Sequence, residues 1–476
     1  EKANPALGTV TDVWYADDGR AASHSAAALE HFITSLRTTL RARGLTLAPH
    51  KSLFIANAAY DDDHPEVVCL ARHAKRVSML SCVGLPVCPS GLIEADVLIP
   101  RHFDGVVTDA LAVVSSLKAL EHPHHAVQAL ACAGMWSRLQ YYVRGYVDAV
   151  SDDTLHAAER GDIDVLKWAC GVHGAAVGLP QWLIATLPLT SGGLGIPSVT
   201  VEALIHKSLC PPIHHAHPGQ CSPRPKSIDA EMRRKRVSIL TTDLIRASLP
   251  PAKVAVLMDA ATSGARTWLS APLCRADGTL VADIRVASTM LAQAIGCDVL
   301  PAGHQCVRNG ESCRPSAPPA CDPAGQHITN CAYVMTTRHN AVRDVIVNEL
   351  VTHAPHVHPL KEQGCNADGQ PYTPPHDQQR VGDVVIFDHA TRTWMFIDVA
   401  AGGLNMKHLE AACKKRGVYP REQHVGKMED PRRELVLKAK AQHIALAFGP
   451  TGSPSWHSRK FLYGVLAPIL DAGNGF

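Results

Sequence analysis

The sequence predicts an α+β protein built from more than one domain. The chain has 476 residues, which is enough for two to three domains with real hydrophobic cores. Strand-like and helix-like periodicities both occur along it, and stretches rich in Pro and Gly separate them. Apolar residues make up 46% and charged residues 19% of the chain, so a wholly disordered protein is excluded.

Charge, hydropathy and cysteine usage exclude several classes of protein. The net charge is only +2, so any surface that binds nucleic acid must be local. We find no apolar run long enough for a membrane span and no signal-peptide layout at the N-terminus. An odd number of scattered cysteines, 15 in all, argues against a disulfide framework. We therefore expect a soluble protein in a reducing compartment.

The first half of the chain divides into three predicted regions. Residues 1–92 are mixed, with strand residues over Thr9–Tyr15 and a helical pattern over Ala26–Arg43. Residues 93–205 are helical, and Gln128–Val147 has the pattern of one long helix. Residues 206–300 combine a linker at 208–227 with a helical segment that opens with four basic residues.

The second half divides into two more predicted regions. Residues 301–337 are crowded with Cys, His and Pro, and residues 338–476 alternate helix and strand. The elements expected in the last region are a helix at Arg338–His353, strands at Val384–Phe387 and Met395–Ala400, and a helix from Met406.

Two adjacent carboxylates form the first candidate site. Asp17 and Asp18 follow Tyr15 and precede Gly19, so we expect them at the tip of a strand-turn-strand hairpin. Carboxylate oxygens hold Mg²⁺, and two-metal phosphoryl transfer needs such a pair. A solvated turn is the alternative, because Asp-Gly is itself a good turn signal.

Cysteines and histidines form the second candidate site, a zinc site. Zinc takes four tetrahedral N or S ligands, and His327 with Cys331 is a plausible half-site. Cys313 and Cys321 are favoured for the other half, with Cys306 and His304 as substitutes. The alternative is a group of unpaired thiols in a Pro-rich loop.

Two acids on apolar strands form the third candidate site. Asp383 enters the first predicted strand of the last region and Asp398 lies late in the second. If the strands pair antiparallel, both carboxylates approach one end of the sheet, where they would hold a divalent metal. A carboxylate among Phe, Ile and Val is costly unless it is paired or metal-bound. Two acids at frayed strand ends are the alternative.

The order of these sites resembles a non-LTR retrotransposon polyprotein, in which a reverse transcriptase precedes a zinc knuckle and a restriction-like endonuclease. Tyr15–Asp18 looks like the catalytic hairpin of the polymerase, and the segment closed by Lys51 and Ser52 like the next palm element. Further likenesses are a primer-gripping turn at Leu80–Val87, a thumb around Trp136–Tyr141, and a post-thumb signature at Leu187–Ile196. Arg338, His339 and Asn340, seven residues beyond Cys331, resemble the signature between knuckle and endonuclease.

The third site resembles the PD-(D/E)xK nuclease core, in which two acids bind Mg²⁺ and a lysine positions the attacking water. Gly382 stands in place of the usual Pro, and Ala400 stands where the lysine would be. Retrotransposon relatives commonly carry that lysine on the following helix. The candidates are Lys414 or Lys415, with Lys407 and Lys427 as weaker ones, and Glu362 would supply a further acid.

The resemblance implies a partial palm, a helical thumb, a zinc knuckle and an α/β nuclease core. It implies Mg²⁺ and Zn²⁺ as cofactors, a DNA target and an RNA template as partners, a nuclear location, and nucleic-acid contacts at Lys51 and Arg338–Asn340. Nicking of DNA for target-primed reverse transcription is the expected function. Only fourteen residues precede Tyr15, without the upstream palm acid and fingers, so we expect no DNA polymerisation by this chain alone. The alternatives are a non-catalytic nucleic-acid-binding remnant and a decayed gene fragment.

Overall fold

The computed structural model describes residues 10–15, 18–48, 51–56, 59–82, 85–87, 95–146, 150–209, 227–269, 283–300, 331–375, 380–403 and 408–473. These residues form a mixed, mostly helical structure with one five-stranded sheet, which confirms the coarse α+β class. They belong to two compact units. The first comprises Glu1–Val113, Met135–Glu159 and Val199–Pro225, and the second comprises Val114–Gly134, Arg160–Ser198 and Lys226–Phe476. The five predicted regions are contiguous, whereas each unit combines separate segments, so those boundaries stay a prediction.

The regular elements are numbered here in chain order. Up to residue 300 they are β1 (Val10–Tyr15), β2 (Asp18–Ser23), α1 (Ala26–Ala42), β3 (Leu53–Phe54), α2 (Pro65–Ala71), β4 (Lys75–Arg76), β5 (Leu80–Cys82), β6 (Leu85–Val87), α3 (Ala95–Ser116), α4 (Pro123–Ala133), α5 (Met135–Tyr146), α6 (Asp152–Ala169), α7 (Leu179–Thr186), α8 (Val199–Leu209), α9 (Ser227–Ser248), α10 (Pro251–Ala260) and α11 (Ile284–Ala294). After residue 330 they are α12 (Ala332–His353), β7 (Leu360–Cys365), β8 (Pro371–Tyr372), β9 (Gly382–Asp388), β10 (Thr393–Ala401), α13 (Leu409–Lys414), α14 (Val418–Met428), α15 (Pro431–Lys438), β11 (Gln442–Phe448), α16 (Trp456–Phe461) and α17 (Ala467–Gly473).

The first unit contains two short antiparallel hairpins and a helical core. Strands β1 and β2 pair with Tyr15 opposite Asp18, which confirms the predicted hairpin around residues 16 and 17. Strands β5 and β6 form the second hairpin, where the primer-gripping turn is predicted. Helix α5 packs against α8, and the rings of Trp136 and His206 stack with their centroids 5.8 Å apart.

The prediction of one long helix over Gln128–Val147 is wrong. Helix α4 ends at Ala133 and α5 begins at Met135, and Gly134 between them has an extended conformation with ψ −173°. A Cβ atom at Gly134 would lie 2.4 Å from the carbonyl oxygen of Leu130, so only glycine fits this break. The apolar periodicity continues across the break, which is why the pattern alone does not reveal it.

The second unit is built around the five-stranded sheet, whose strand order is β11-β10-β9-β7-β8. Strands β9 and β10 form an antiparallel hairpin, and β11 pairs parallel with β10. A parallel neighbour requires a long crossover connection, and α13, α14 and α15 provide it. The predicted strands at Val384–Phe387 and Met395–Ala400 are confirmed as the central parts of β9 and β10.

Helices cover both faces of the sheet, which explains the nearly continuous apolar sequence of β9 and β10. One face packs Val384, Ile397 and Leu446 against Leu350 of α12 and Phe461 of α16. The other face has a smaller core, which consists of Val381, Val385, Phe396, Val436 and Ala441. Both faces must be apolar, so the buried carboxylate of Asp398 on β10 is exceptional.

Helix α12 begins earlier than predicted. The helix expected from Arg338 starts at Ala332, directly after Cys331, and crosses the predicted boundary at residue 337 without interruption. Residues 332–337 contain no Gly or Pro, so nothing stops the helix from extending back to the extended residue Cys331. Arg338, His339 and Asn340 therefore lie in the second and third turns of α12, not at its start.

Helix α10 of the region predicted as 206–300 belongs to the second unit. Ala255 packs with Ala412, Val418 and Tyr419 of the crossover helices. The carboxylate of Asp259 accepts hydrogen bonds from the backbone and hydroxyl of Thr451, at 3.1 and 2.6 Å, and from the hydroxyl of Ser453 at 2.6 Å. These bonds attach α10 to the loop that follows β11. Across the described part of the chain, no helix combines the length and apolar character needed to cross a bilayer.

Candidate active site

Asp383 and Asp398 lie side by side on the central hairpin of the sheet. Val384 pairs with Ile397, so the next antiparallel position places Asp383 opposite Asp398. Directly opposed residues of an antiparallel pair point to the same face, and the two carboxyl groups hydrogen bond to each other. Their side chains are 18% and 7% exposed. The expectation that both acids approach one end of the sheet is confirmed.

The two carboxyl groups differ in proton affinity. Burial favours the protonated form of Asp383, but hydrogen bonds from His339, from Asp398 and from the backbone N–H of Val399 outweigh burial and lower its pKa. Burial raises the pKa of Asp398, the attraction of Lys427 opposes that rise, and the hydrogen bond to Asp383 adds to it. The pair therefore behaves as one ionised carboxylate and one that readily keeps a proton, as expected for two acids in close contact.

Asp383 is held from two sides. The backbone N–H of Val399 donates to its Oδ2 over 2.7 Å, and Nε2 of His339 lies 3.2 Å from its Oδ1. The hydrogen bond to Asp383 raises the pKa of His339 against the opposing effect of burial. Gly382, which precedes the acid, has no room for a side chain, because a Cβ atom would lie 2.9 Å from Val385 and 3.0 Å from Phe396. Local packing therefore favours glycine at this position.

Among the candidate lysines that the structure describes, Lys427 is the one that contacts the carboxylate pair, through Asp398. It lies near the end of α14, and its Nζ is 2.7 Å from Oδ1 of Asp398. Lys414, one of the two favoured candidates, instead pairs with Glu410 over 2.6 Å on the surface, with its side chain 73% exposed. Lys415 caps α13 and is exposed, and Lys407 lies outside the described residues. Lys427 lies 29 residues beyond Asp398, so no local spacing distinguishes it from the other lysines.

Glu362 is engaged elsewhere. It lies in β7 between the residues that pair with Val384 and Gly382, and it adopts a left-handed conformation with φ 55°. Its carboxylate pairs with Arg343, whose side chain is buried, and with Arg380. Both arginines thus compete with any metal for the carboxylate of Glu362, the further acid expected from the sequence.

Two residues of the predicted triplet Arg338, His339 and Asn340 make specific polar contacts. Arg338 donates to the carbonyl oxygens of Gly402 and Gly449, over 3.1 and 3.5 Å, and so joins the ends of β10 and β11. Burial lowers its pKa, and the nearby carboxylate of Asp259 opposes this. His339 reaches Asp383, and Asn340 lies half-buried in the same helix. The predicted nucleic-acid contacts of this triplet stay a prediction.

The other predicted site residues are the acids of the first hairpin, Lys51 and the ligands of the zinc site. Asp17 lies outside the described residues, Asp18 is the first residue of β2, and Lys51 is exposed after α1 in the same unit. Cys306, Cys313, Cys321 and His327 also lie outside the described residues. Cys331 is buried directly before α12. Within the described ranges, no cluster of three or more His, Cys, Asp or Glu side chains is arranged to hold a metal ion.

Comparisons with known proteins add no family assignment. The chain matches no protein-family model, and no curated protein is significantly similar to it.

Proposed function

We propose that the second unit is a Mg²⁺-dependent endonuclease that nicks DNA, with Asp383, Asp398 and Lys427 as its catalytic residues. The observation that carries this proposal is the contact of two opposed carboxylates with each other, and of one of them with a lysine ammonium, on two strands that otherwise bury Val, Ile and Phe side chains. Mixed α/β architecture and a crossover-connected parallel strand beside the hairpin agree with a PD-(D/E)xK-like core.

The donor set suits Mg²⁺. This ion is commonly held by one or two carboxylates and completes its shell with waters and substrate phosphate oxygens, so a third protein ligand is not required. Two carboxyl groups in contact repel each other when both are ionised. A divalent cation between them relieves that repulsion. When bound, Mg²⁺ would polarise the phosphate and stabilise the leaving oxygen.

The protein residues would divide the remaining work. Asp383, kept ionised by His339 and by the backbone of Val399, presents a rigid carboxylate oxygen. Lys427 orients the attacking water by hydrogen bonding and offsets negative charge that grows on the phosphate. The water oxygen forms a bond to phosphorus and loses a proton to solvent. The bond from phosphorus to the 3′ oxygen breaks, and that oxygen takes up a proton from solvent, which leaves a 3′ hydroxyl and a 5′ phosphate.

Asp383→Asn tests this proposal. The substitution keeps the size of the side chain and removes its charge, so Mg²⁺-dependent nicking of supercoiled plasmid should be lost while DNA binding is retained. The control is Asp388→Asn, at the far end of the same strand, where the carboxylate caps a turn at Ala390 and Thr391. Nicking by Asp383→Asn at the wild-type rate, with fresh protein free of contaminating nuclease, would refute the proposal.

A non-catalytic nucleic-acid-binding protein is the second candidate. One observation favours it: Lys427 already neutralises Asp398 and His339 already pairs with Asp383, so the acids have partners without any metal. In that case the wild-type protein would bind DNA and would not nick it in Mg²⁺ or Mn²⁺.

The rest of the family likeness adds four further parts to the proposal. A zinc knuckle formed by His327, Cys331 and two of Cys306, Cys313 and Cys321 would connect directly to α12, the helix that carries His339. A genomic DNA target, an RNA template and a nuclear location complete it. Metal analysis should find stoichiometric Zn²⁺, and the knuckle is ruled out if none is present and His327→Ala leaves thermal stability unchanged.

A further inference from the structure

The helical end of the second unit presents two exposed aromatic rings on either side of a lysine. Trp456 begins α16, Lys460 follows one turn later, and Tyr463 lies three residues beyond, in a π-helical turn that leads into α17. These three side chains, called the aromatic stripe below, occupy neighbouring positions on one helix face. Trp456 is 60% and Tyr463 59% exposed.

The opposite face of the same helix is firmly fixed. Ser458 is fully buried, and its hydroxyl accepts a hydrogen bond from the backbone N–H of Ala447 over 2.7 Å and donates to the carbonyl of that residue. Phe461 and Leu466 are buried in the core beside α12. The aromatic stripe is therefore held on a rigid support, so that little conformational entropy is lost when a ligand binds to it.

The charged residues of the segment that carries the aromatic stripe are positive. Arg459 and Lys460 are the only Lys, Arg, Asp or Glu residues between Trp456 and Leu470, and an acid follows only at Asp471. Nζ of Lys460 lies 5.6 Å from the ring centroid of Trp456, within the range of a cation–π contact. Flat rings beside ammonium or guanidinium groups provide stacking for bases and charge for phosphates, which is the chemistry of proteins that bind single nucleic-acid strands.

The aromatic stripe is joined to the helix that carries Lys427. The ring of His457 stacks on His424 with the centroids 4.2 Å apart and the planes at 1°. His424 lies one turn before Lys427 in α14, and its Nδ1 is 3.3 Å from the carbonyl oxygen of Ala445 at the edge strand β11. His457, whose ring also contacts that of Trp456, thus connects the segment that carries the aromatic stripe to the helix that carries Lys427.

We propose that the aromatic stripe binds the DNA strand on which the carboxylate pair acts. Bases stack on Trp456 and Tyr463, and Lys460 pairs with a phosphate between them. The identity of the bound strand rests on the proposed nuclease function. The positive charge favours a nucleic acid over a protein partner, because an apolar protein surface would leave Arg459 and Lys460 without counter-charge.

The test measures binding separately from cutting. A fluorescein-labelled single-stranded DNA oligonucleotide is titrated with the full chain in EDTA, and anisotropy gives the dissociation constant at several salt concentrations. Trp456→Ala should weaken binding about 5- to 100-fold, and Trp456→Phe should restore most of it, because the stacking ring is kept. Lys460→Gln should reduce the slope of log K against log salt by about 1.

Matched controls separate this binding from folding and from generic charge. Lys438→Gln removes another exposed lysine, whose partner is Glu434, and should leave both affinity and salt slope unchanged. Melting temperatures of all variants should equal that of the wild type, since the substituted side chains are exposed. Unchanged DNA affinity of Trp456→Ala overturns the inference, and so does an effect confined to an RNA oligonucleotide of the same sequence.

The outcome is distinguishable from that of the proposed function. If the wild-type protein nicks DNA and Trp456→Ala binds DNA as tightly as the wild type, the aromatic stripe is refuted and the nuclease is not. Binding that depends on Trp456 in a wild-type protein that never nicks supports the aromatic stripe as a DNA-binding surface and refutes the nuclease. A wild-type protein that binds no DNA refutes the inference.

Discussion

Replacement of Lys427 by methionine removes the ammonium group that lies 2.7 Å from Asp398 and keeps a side chain of similar length. The two side chains are 23% and 7% exposed, so solvent screens their interaction only in part. A hydrogen bond to a charged group in such a setting contributes about 1.5 to 3 kcal/mol. Because this interaction favours the ionised form of Asp398, its loss should raise the pKa of Asp398 further.

This shift has a definite sign in the pH dependence of nicking. Asp398 must be ionised to hold Mg²⁺, and its pKa is already raised by burial. The acid limb of kcat/KM, measured at low Mg²⁺ concentration, should therefore move to higher pH in Lys427→Met. At the plateau the rate should fall about 10²- to 10³-fold, as when a single donor that stabilises the transition state is removed. Initial rates of plasmid nicking between pH 5 and pH 9 measure both effects.

Lys414→Met is the matched control. This lysine pairs with Glu410 on the surface, so its loss should change neither the rate nor the acid limb. If Lys427→Met keeps the wild-type pH profile while Lys414→Met loses activity, the assignment of the catalytic lysine from its contact with Asp398 is refuted.

Three further predictions concern neighbouring groups. Asp259→Ala leaves hydroxyl and amide donors without an acceptor, so it should lower the free energy of unfolding by about 3 kcal/mol in chemical denaturation. Asp243→Ala, at an exposed site, is the control and should change that free energy little. His339→Gln should lower the melting temperature more at pH 6 than at pH 9. Asp383 raises the pKa of His339, so the histidine contributes its full stability below its unfolded pKa of about 6.5. That stability is lost as the pH rises through the pKa of the folded state. Glu362→Gln should lower the melting temperature, because it removes the charge that pairs with two arginines, yet nicking at 20 °C should stay within about threefold of wild type. A loss of nicking above about 100-fold would indicate that Glu362 is a metal ligand.

Short-range patterns predicted several elements well. The apolar runs around Asp383 and Asp398 predicted both strands, because a buried strand must be apolar on both faces. The antiparallel pairing was assumed for the argument, and the structure has it. The helix over Ala26–Arg43 was confirmed as α1, which ends at Ala42. The break at Gly134 was not predicted, since the steric limit that requires it comes from the carbonyl of Leu130, which only the folded helix brings into contact.

The edge strand β11 was also not predicted. It joins the sheet only after the crossover through three helices, and its pairing with β10 spans more than forty residues. Contacts at such separations leave no periodic signal in either segment. The same reason explains the role of Arg338, whose carbonyl partners follow β10 and β11 and lie 64 and 111 residues away.

The amino-acid sequence by itself determined which acids are exceptional, because a carboxylate inside an apolar strand is costly and its presence is visible without coordinates. It also determined the hairpin that brings Asp383 and Asp398 together. Only the tertiary structure decided which lysine contacts this pair, through Asp398. Lys414, Lys415 and Lys427 are chemically equivalent in the sequence, and the packing of α14 on the sheet directs Lys427 to Asp398 while Lys414 stays with Glu410 in solvent. Helix packing depends on the whole core, so this choice cannot be made from local spacing.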